Sequence, residues 1–169
     1  MFLVTDILLN VVLNALLTYS ALMALKWRHA GQACITANRV YVQSGVYDSF
    51  ASLIKEKTSK LKIGHGAKEG TTIGPLTTPR SIDKAENQVE DAKKHGGKVV
   101  LGGSKVKDTT GYFFEPTIIL GAKKEMLITE EETFAPVLAL YSFDTEDEAV
   151  DAANNTSVSF VPMFSLMVC

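Results

Sequence analysis

The chain has 169 residues, of which 46% are hydrophobic, and its 17 basic and 19 acidic side chains give a net charge of −2. This composition excludes a disordered or collagen-like chain and predicts one globular domain with a sizeable core. Because there is no basic surplus, we expect no nucleic-acid partner.

The cysteine content points to a reducing compartment. The chain has two cysteines, Cys34 and Cys169, far apart in the sequence. This pattern fits neither a disulfide-rich secreted scaffold nor a zinc site, so we expect no metal.

The first 25 residues are strongly apolar and carry one charged side chain, Asp6. We interpret them as a buried helix, with a membrane span and a secretion signal as the alternatives. Asp6, Asn10 and Asn14 argue against a span, and a signal would need a basic residue before the apolar run. The residues at helical spacing are Leu13, Leu16, Leu17, Ser20, Ala21 and Ala24.

The middle of the chain alternates between strand and helix patterns. The β-branched and aromatic run 40–42 predicts a short strand, and apolar residues between Val46 and Leu61 predict an amphipathic helix that ends at Gly64. Residues 63–79 contain several glycines and prolines and predict an irregular surface loop.

The second half continues this alternation. A helix is predicted from Pro79 to the His95-Gly96-Gly97 stop, followed by a buried strand at 99–101. Residues 112–114 and 117–120 are predicted to be extended.

The last elements have the clearest signals. Residues 136–143 are the strongest strand candidate, and the final helix is predicted from Thr145 to Asn154. Thr145 and Glu148 have the spacing of a capping box. Strands alternating with helices predict an α/β fold with a mostly parallel sheet.

The residue most suited to chemistry is Cys34, which follows the small-residue turn at Gly31. A thiolate is the strongest side-chain nucleophile near neutral pH, whereas a lone cysteine is more often a small buried hydrophobe. His29, His65 and His95 have no diagnostic spacing to it, and we expect them at the surface.

Several segments, in order, resemble the aldehyde dehydrogenase superfamily, with succinate-semialdehyde dehydrogenases as the closest likeness. The likeness covers roughly residues 15–159. Its segments are Lys26–Cys34, Ala37–Val42, Ile73–Leu76, Gly111–Ile118 and Glu131–Val137.

The resemblance implies the three-layer α/β catalytic domain of that family, with a mostly parallel sheet. In the family, a cysteine attacks an aldehyde to give a thiohemiacetal, hydride passes to NAD or NADP, and water hydrolyses the resulting thioester. By position, Cys34 would be this nucleophile, and its backbone N–H would be half of the oxyanion hole.

Three further residues receive roles from the resemblance. Glu132 matches the carboxylate that holds the nicotinamide ribose hydroxyls, and Phe134 matches the ring beside the nicotinamide. On composition alone, residues 130–132 would be a solvated acidic run. Arg28 matches the arginine that binds the substrate carboxylate in succinate-semialdehyde dehydrogenases, a task suited to a planar guanidinium; the alternative is a surface arginine at a helix C-terminus.

The sequence also departs from the family pattern. The position of the family's general-base glutamate falls just before Met1, and the phosphate-binding segment has no counterpart here. Ala135 stands where the family has glycine, which predicts crowding in the turn. Thr36 stands where some succinate-semialdehyde enzymes have a second cysteine.

We therefore divide the chain into a divergent apolar segment (1–14), a partial catalytic domain (15–160) and a divergent tail (161–169). We expect these parts to form an aldehyde dehydrogenase fold that is incomplete at both ends. We expect NAD(P)-dependent oxidation of a small aldehyde, such as succinate semialdehyde, with little turnover from this chain alone. The alternatives are a non-catalytic partner of full-length aldehyde dehydrogenase subunits and a cysteine esterase. We expect a cytoplasmic protein, with mitochondria as the alternative, that forms homo-oligomers or associates with such subunits.

Overall fold

A computed structural model describes residues 5–9 and 15–155, with side chains from Ser20 onward. Its described strands are β1 (Thr5–Leu9), β2 (Ala37–Gln43), β3 (Lys98–Leu101), β4 (Thr117–Leu120) and β5 (Val137–Phe143). They form one sheet in the order β1-β2-β5-β4-β3. Every described pairing is parallel except that of β3 with β4, which confirms the mostly parallel sheet.

The middle of the sheet is covered on both faces. β2 is buried at six successive positions from Ala37 to Val42, and β5 is buried everywhere except Ser142. Since successive side chains of a strand point to opposite faces, both faces must be packed against other elements. The burial pattern therefore agrees with the expected three-layer architecture.

Five α-helices are described. They are α1 (Ala15–Trp27), α2 (Tyr47–Thr58), α3 (Pro79–Lys94), α4 (Leu127–Glu130) and α5 (Glu146–Asn154), and a 3-10 turn at Ser44–Val46 precedes α2. α3 begins where Thr78 accepts a hydrogen bond from the Ser81 N–H, and α5 begins where Thr145 accepts one from the Glu148 N–H. The predicted cap of the last helix is thus confirmed.

The apolar N-terminal segment differs from its prediction as one helix. Residues 5–9 form strand β1, which pairs with β2, and the helix begins at Ala15. A short apolar run has no periodicity that separates a strand from a buried helix, and backbone pairing with β2 decides the outcome. No helix in the described part of the chain has the length and apolar character needed to cross a bilayer.

Two other boundaries are corrected. α2 ends at Thr58 rather than near Gly64, because the Lys60 and Leu61 N–H groups bond to the carbonyls of Lys57 and Thr58 in tighter turns. β3 was expected to be buried, but it is a half-exposed strand at the sheet edge, paired antiparallel with β4. The predicted tail at 161–169, Cys169 and most of the segment 1–14 lie outside the described residues.

Candidate active site

The candidate site lies at the amino-terminal ends of two neighbouring strands. β2 and β5 are parallel and adjacent, with Arg39 opposite Ala139. Residues 28–36, here called the cysteine loop, lead into β2, and residues 131–136, here called the glutamate loop, lead into β5. Because the amino ends of parallel neighbours lie at the same sheet edge, this topology places the two loops side by side.

The two loops touch at Gly31. A Cβ atom on this residue would overlap the carbonyl oxygen of Ala135, and Gly31 has a φ of +70°. Ala30 precedes it with a φ of 52°, so two successive left-handed residues follow α1 and redirect the chain toward the sheet. Only glycine permits both the backbone angle and the approach at position 31.

Cys34 lies at the tip of the cysteine loop. The Thr36 N–H donates to the Ala33 carbonyl at 3.0 Å, so Cys34 and Ile35 are the central residues of a tight turn. Both side chains are exposed, Ile35 at 51%. The thiol is therefore accessible to a small molecule, and the interpretation of Cys34 as a buried hydrophobe is wrong.

Gln32 connects the cysteine loop to a third segment. Its Nε2 donates to the carbonyls of His29 and Pro75, both at 3.2 Å, and its Oε1 accepts from the Thr77 N–H at 2.9 Å. This side chain holds the loop against the segment that matched the family motif at residues 73–76. This role of Gln32 was not predicted from the sequence, although its position inside the Lys26–Cys34 motif indicated that it could matter.

A buried hydrogen bond closes the base of the cysteine loop. Lys26 Nζ donates to Asn38 Oδ1 at 2.9 Å, and Lys26 is fully buried. Burial lowers the pKa of Lys26 from its usual 10.5 to about 7, because the interior disfavours the charged ammonium. The bond joins the last turn of α1 to the start of β2 and so fixes where the loop leaves and re-enters the fold.

The side chains of the acidic run at residues 130–132 differ in how far they are exposed to solvent. Glu131 is exposed, whereas Glu132 is only 8% exposed. A solvated run would leave both in water, so the prediction from composition alone is wrong for Glu132. Glu132 is therefore a largely buried carboxylate next to an exposed one.

The left-handed residue of the glutamate loop is Phe134, with a φ of 43°. Its ring is half-buried beside Ala135, which is fully buried. The positive φ of this loop thus falls on Phe134 and not on Ala135.

The remaining candidates lie outside the core. Arg28 is exposed near the C-terminus of α1, and His29, His65 and His95 are exposed as expected. Thr36 is buried, and its Oγ1 has no hydrogen-bond partner among the described residues.

The donor set suits the cofactor that the resemblance implies. A carboxylate such as that of Glu132 is an acceptor for hydroxyl groups, and a partly buried aromatic residue such as Phe134 suits a flat aromatic group. Within residues 5–9 and 15–155, no group of three His, Cys, Asp or Glu side chains could hold a metal ion.

Comparison with known proteins gives a family match over most of the chain. Residues 10–160 match the model of the aldehyde dehydrogenase family. Succinate-semialdehyde dehydrogenase [NADP(+)] 1 of Schizosaccharomyces pombe is 52% identical over 138 residues, which are 82% of this chain and 28% of that protein. Mouse mitochondrial succinate-semialdehyde dehydrogenase is 43% identical over 143 residues, 84% of this chain and 27% of that protein.

The fold is likewise shared with solved structures. Succinate-semialdehyde dehydrogenase from Burkholderia pseudomallei superposes with a TM-score of 0.88 and 35% identity, over 92% of this chain and 32% of that one. The chain thus spans less than a third of the length of the relatives that it matches.

The Gly31 contact generates the first prediction. Gly31→Ala should lower the free energy of unfolding by at least about 2 kcal/mol, because the methyl group would meet the Ala135 carbonyl in a left-handed backbone. Urea denaturation measures this change. Gly45→Ala is the control, since a Cβ there would meet no atom within 4 Å; equal effects of the two substitutions would contradict the contact.

The buried lysine generates a pH prediction. Between pH 7 and about 10 the unfolded chain keeps a proton on Lys26 that the folded chain has released, so this group makes stability rise with pH. The slope should reach about 1.4 kcal/mol per pH unit, and the group adds no slope below pH 7, where both states are protonated.

Urea titrations at several pH values, compared with Lys26→Met, isolate the contribution of this lysine. The substitution should remove the extra slope, whereas Lys94→Met, at an exposed lysine, should retain it. Parallel pH profiles for wild type and Lys26→Met would show that the folded chain does not hold Lys26 as an uncharged amine.

Proposed function

The chain belongs to the aldehyde dehydrogenase family, and from this premise we propose that it carries the aldehyde-binding part of a semialdehyde dehydrogenase site. The observation that supports this most strongly is the exposed Cys34 turn held against the glutamate loop through Gly31. Covalent aldehyde oxidation requires an accessible nucleophile, and Cys34 is exposed.

Cys34 performs the covalent step. Its sulfur, as thiolate, bonds to the aldehyde carbon, the carbonyl π-electrons move to oxygen, and a proton then completes the thiohemiacetal. The backbone N–H of Cys34 donates to that oxygen as its negative charge develops. The turn at residues 33–36 keeps the thiol exposed for this attack.

The glutamate loop forms the cofactor side of the site. Glu132 would accept hydrogen bonds from the nicotinamide ribose hydroxyls, and Phe134 would pack beside the nicotinamide ring. The chemistry that NAD or NADP would supply at this site, when bound, is acceptance of a hydride. Relatives from Schizosaccharomyces pombe and Escherichia coli are named as NADP(+) enzymes, which supports the use of NADP here.

Arg28 selects the substrate class. It is exposed on the same loop as Cys34, where its guanidinium can bind both oxygens of a carboxylate at the far end of a short aldehyde. Several relatives are named for succinate semialdehyde and one for glutarate semialdehyde, and both of these compounds carry such a carboxylate. We assign this chain to succinate semialdehyde or a close homologue.

The covalent step can be tested without cofactor. Succinate semialdehyde labelled with carbon-13 at the aldehyde carbon should give a new tetrahedral-carbon NMR resonance when mixed with the chain. Cys34→Ser should abolish this resonance, and Cys169→Ser, the control at the other cysteine, should retain it. Persistence of the same resonance in Cys34→Ser would contradict the assignment of the nucleophile.

The same assay tests Arg28. Arg28→Gln should raise the apparent dissociation constant of the succinate semialdehyde adduct by about 10-fold or more, as expected for loss of a charge-assisted bond. Butanal, of equal carbon number but without the carboxylate, should bind wild type and variant equally. Arg80→Gln, at an exposed arginine on α3, is the control; an equal loss for both aldehydes would refute carboxylate recognition.

A further inference from the structure

Helix α3 presents three polar side chains to the residues just before Glu132. Lys84, Gln88 and Asp91 are spaced by four and three residues, which places them on one face of the helix. Each contacts the segment from Leu127 to Glu131, which comprises α4 and the first residue of the glutamate loop. The face therefore reaches both ends of that segment.

Asp91 holds the start of the segment. Its Oδ2 accepts from the Leu127 N–H at 2.7 Å, and its Oδ1 lies 3.3 Å from His95 Nδ1. Leu127 is the first residue of α4, whose N–H groups lack partners within the helix. A carboxylate from α3 thus supplies the cap that the sequence of α4 does not contain.

Gln88 holds the end of the segment. It is fully buried, and its Nε2 donates to the Glu131 carbonyl at 3.4 Å. Its Oε1 is buried without a hydrogen-bond partner among the described residues. A half-satisfied buried amide stabilises a core less than an apolar side chain of the same shape would, so stability alone does not account for a glutamine here.

Lys84 adds an outer contact. Its Nζ lies 3.2 Å from Glu131 Oε2, and both side chains are about half exposed. Such a pair contributes little to stability, but it directs the Glu131 side chain outward, along α3, while Glu132 lies inward.

We propose that Gln88 is a positioning residue for Glu132, the carboxylate that binds the cofactor ribose. α4 has four residues and cannot hold its own geometry, so the position of the glutamate loop depends on α3. Gln88 fixes the carbonyl that directly precedes the Glu132 amide. This inference rests on the proposed function, because it takes Glu132 as the cofactor ligand.

The test compares Gln88→Met, which keeps the shape of the side chain but cannot donate, with Gln88→His, whose ring N–H can donate. In Gln88→Met, amide hydrogen exchange at Glu131, whose N–H bonds to the Leu127 carbonyl, should accelerate about 3- to 10-fold. The dissociation constant for NADPH, measured by its fluorescence, should rise by a similar factor. The urea midpoint should not fall, and the Cys34 adduct with succinate semialdehyde should not change.

Gln88→His should restore both quantities, and Asn87→Met, at the exposed neighbouring position, should alter neither. Unchanged exchange at Glu131 in Gln88→Met, or acceleration spread over the whole chain, would overturn the positioning role. Failure of the histidine variant to restore exchange and NADPH affinity would also overturn it. Exchange could respond as expected while even the wild-type chain does not bind NADPH. That result would refute the cofactor role of Glu132 but support the role of Gln88 in holding the glutamate loop.

Discussion

The site depends on the contact between Gly31 and the Ala135 carbonyl. The parallel pairing of β2 with β5 brings the cysteine and glutamate loops to one edge of the sheet, and the missing side chain at position 31 lets them meet. Any larger residue there would separate the loop that carries Cys34 from the loop that carries Glu132. The backbone at this point therefore determines the distance between the loop of Cys34 and the loop of Glu132.

The side chains around this contact divide into reactive and supporting groups. Cys34 is exposed, whereas the groups that hold its loop, Lys26 and Asn38, are buried. Burying an amine costs stability at neutral pH, because its charge is disfavoured in the interior. This cost falls where the loop joins α1 and β2, so the support of the site is buried while its tip is open to solvent.

The sequence predicted the parts of this structure that depend on local pattern. The strand at residues 137–143, the helix that begins at Pro79 and the cap at Thr145 follow from periodicity and capping, and the motif around Cys34 identified the family. The strand at residues 5–9 was missed because its conformation comes from pairing with β2, which periodicity does not encode. The roles of Gln32 and Gln88 were missed for a similar reason, since their partners Thr77 and Glu131 lie more than 40 residues away.

The most direct test of the account is a nuclear Overhauser measurement between Gly31 and the glutamate loop in the isotopically labelled chain. The account predicts cross-peaks from the α-protons of Gly31 to protons of Ala135 or Pro136, because a Cβ at Gly31 would lie within 3.2 Å of the Pro136 nitrogen. A fully assigned spectrum with no cross-peak between these residues would show that the two loops do not meet, and would contradict a shared site for Cys34 and Glu132.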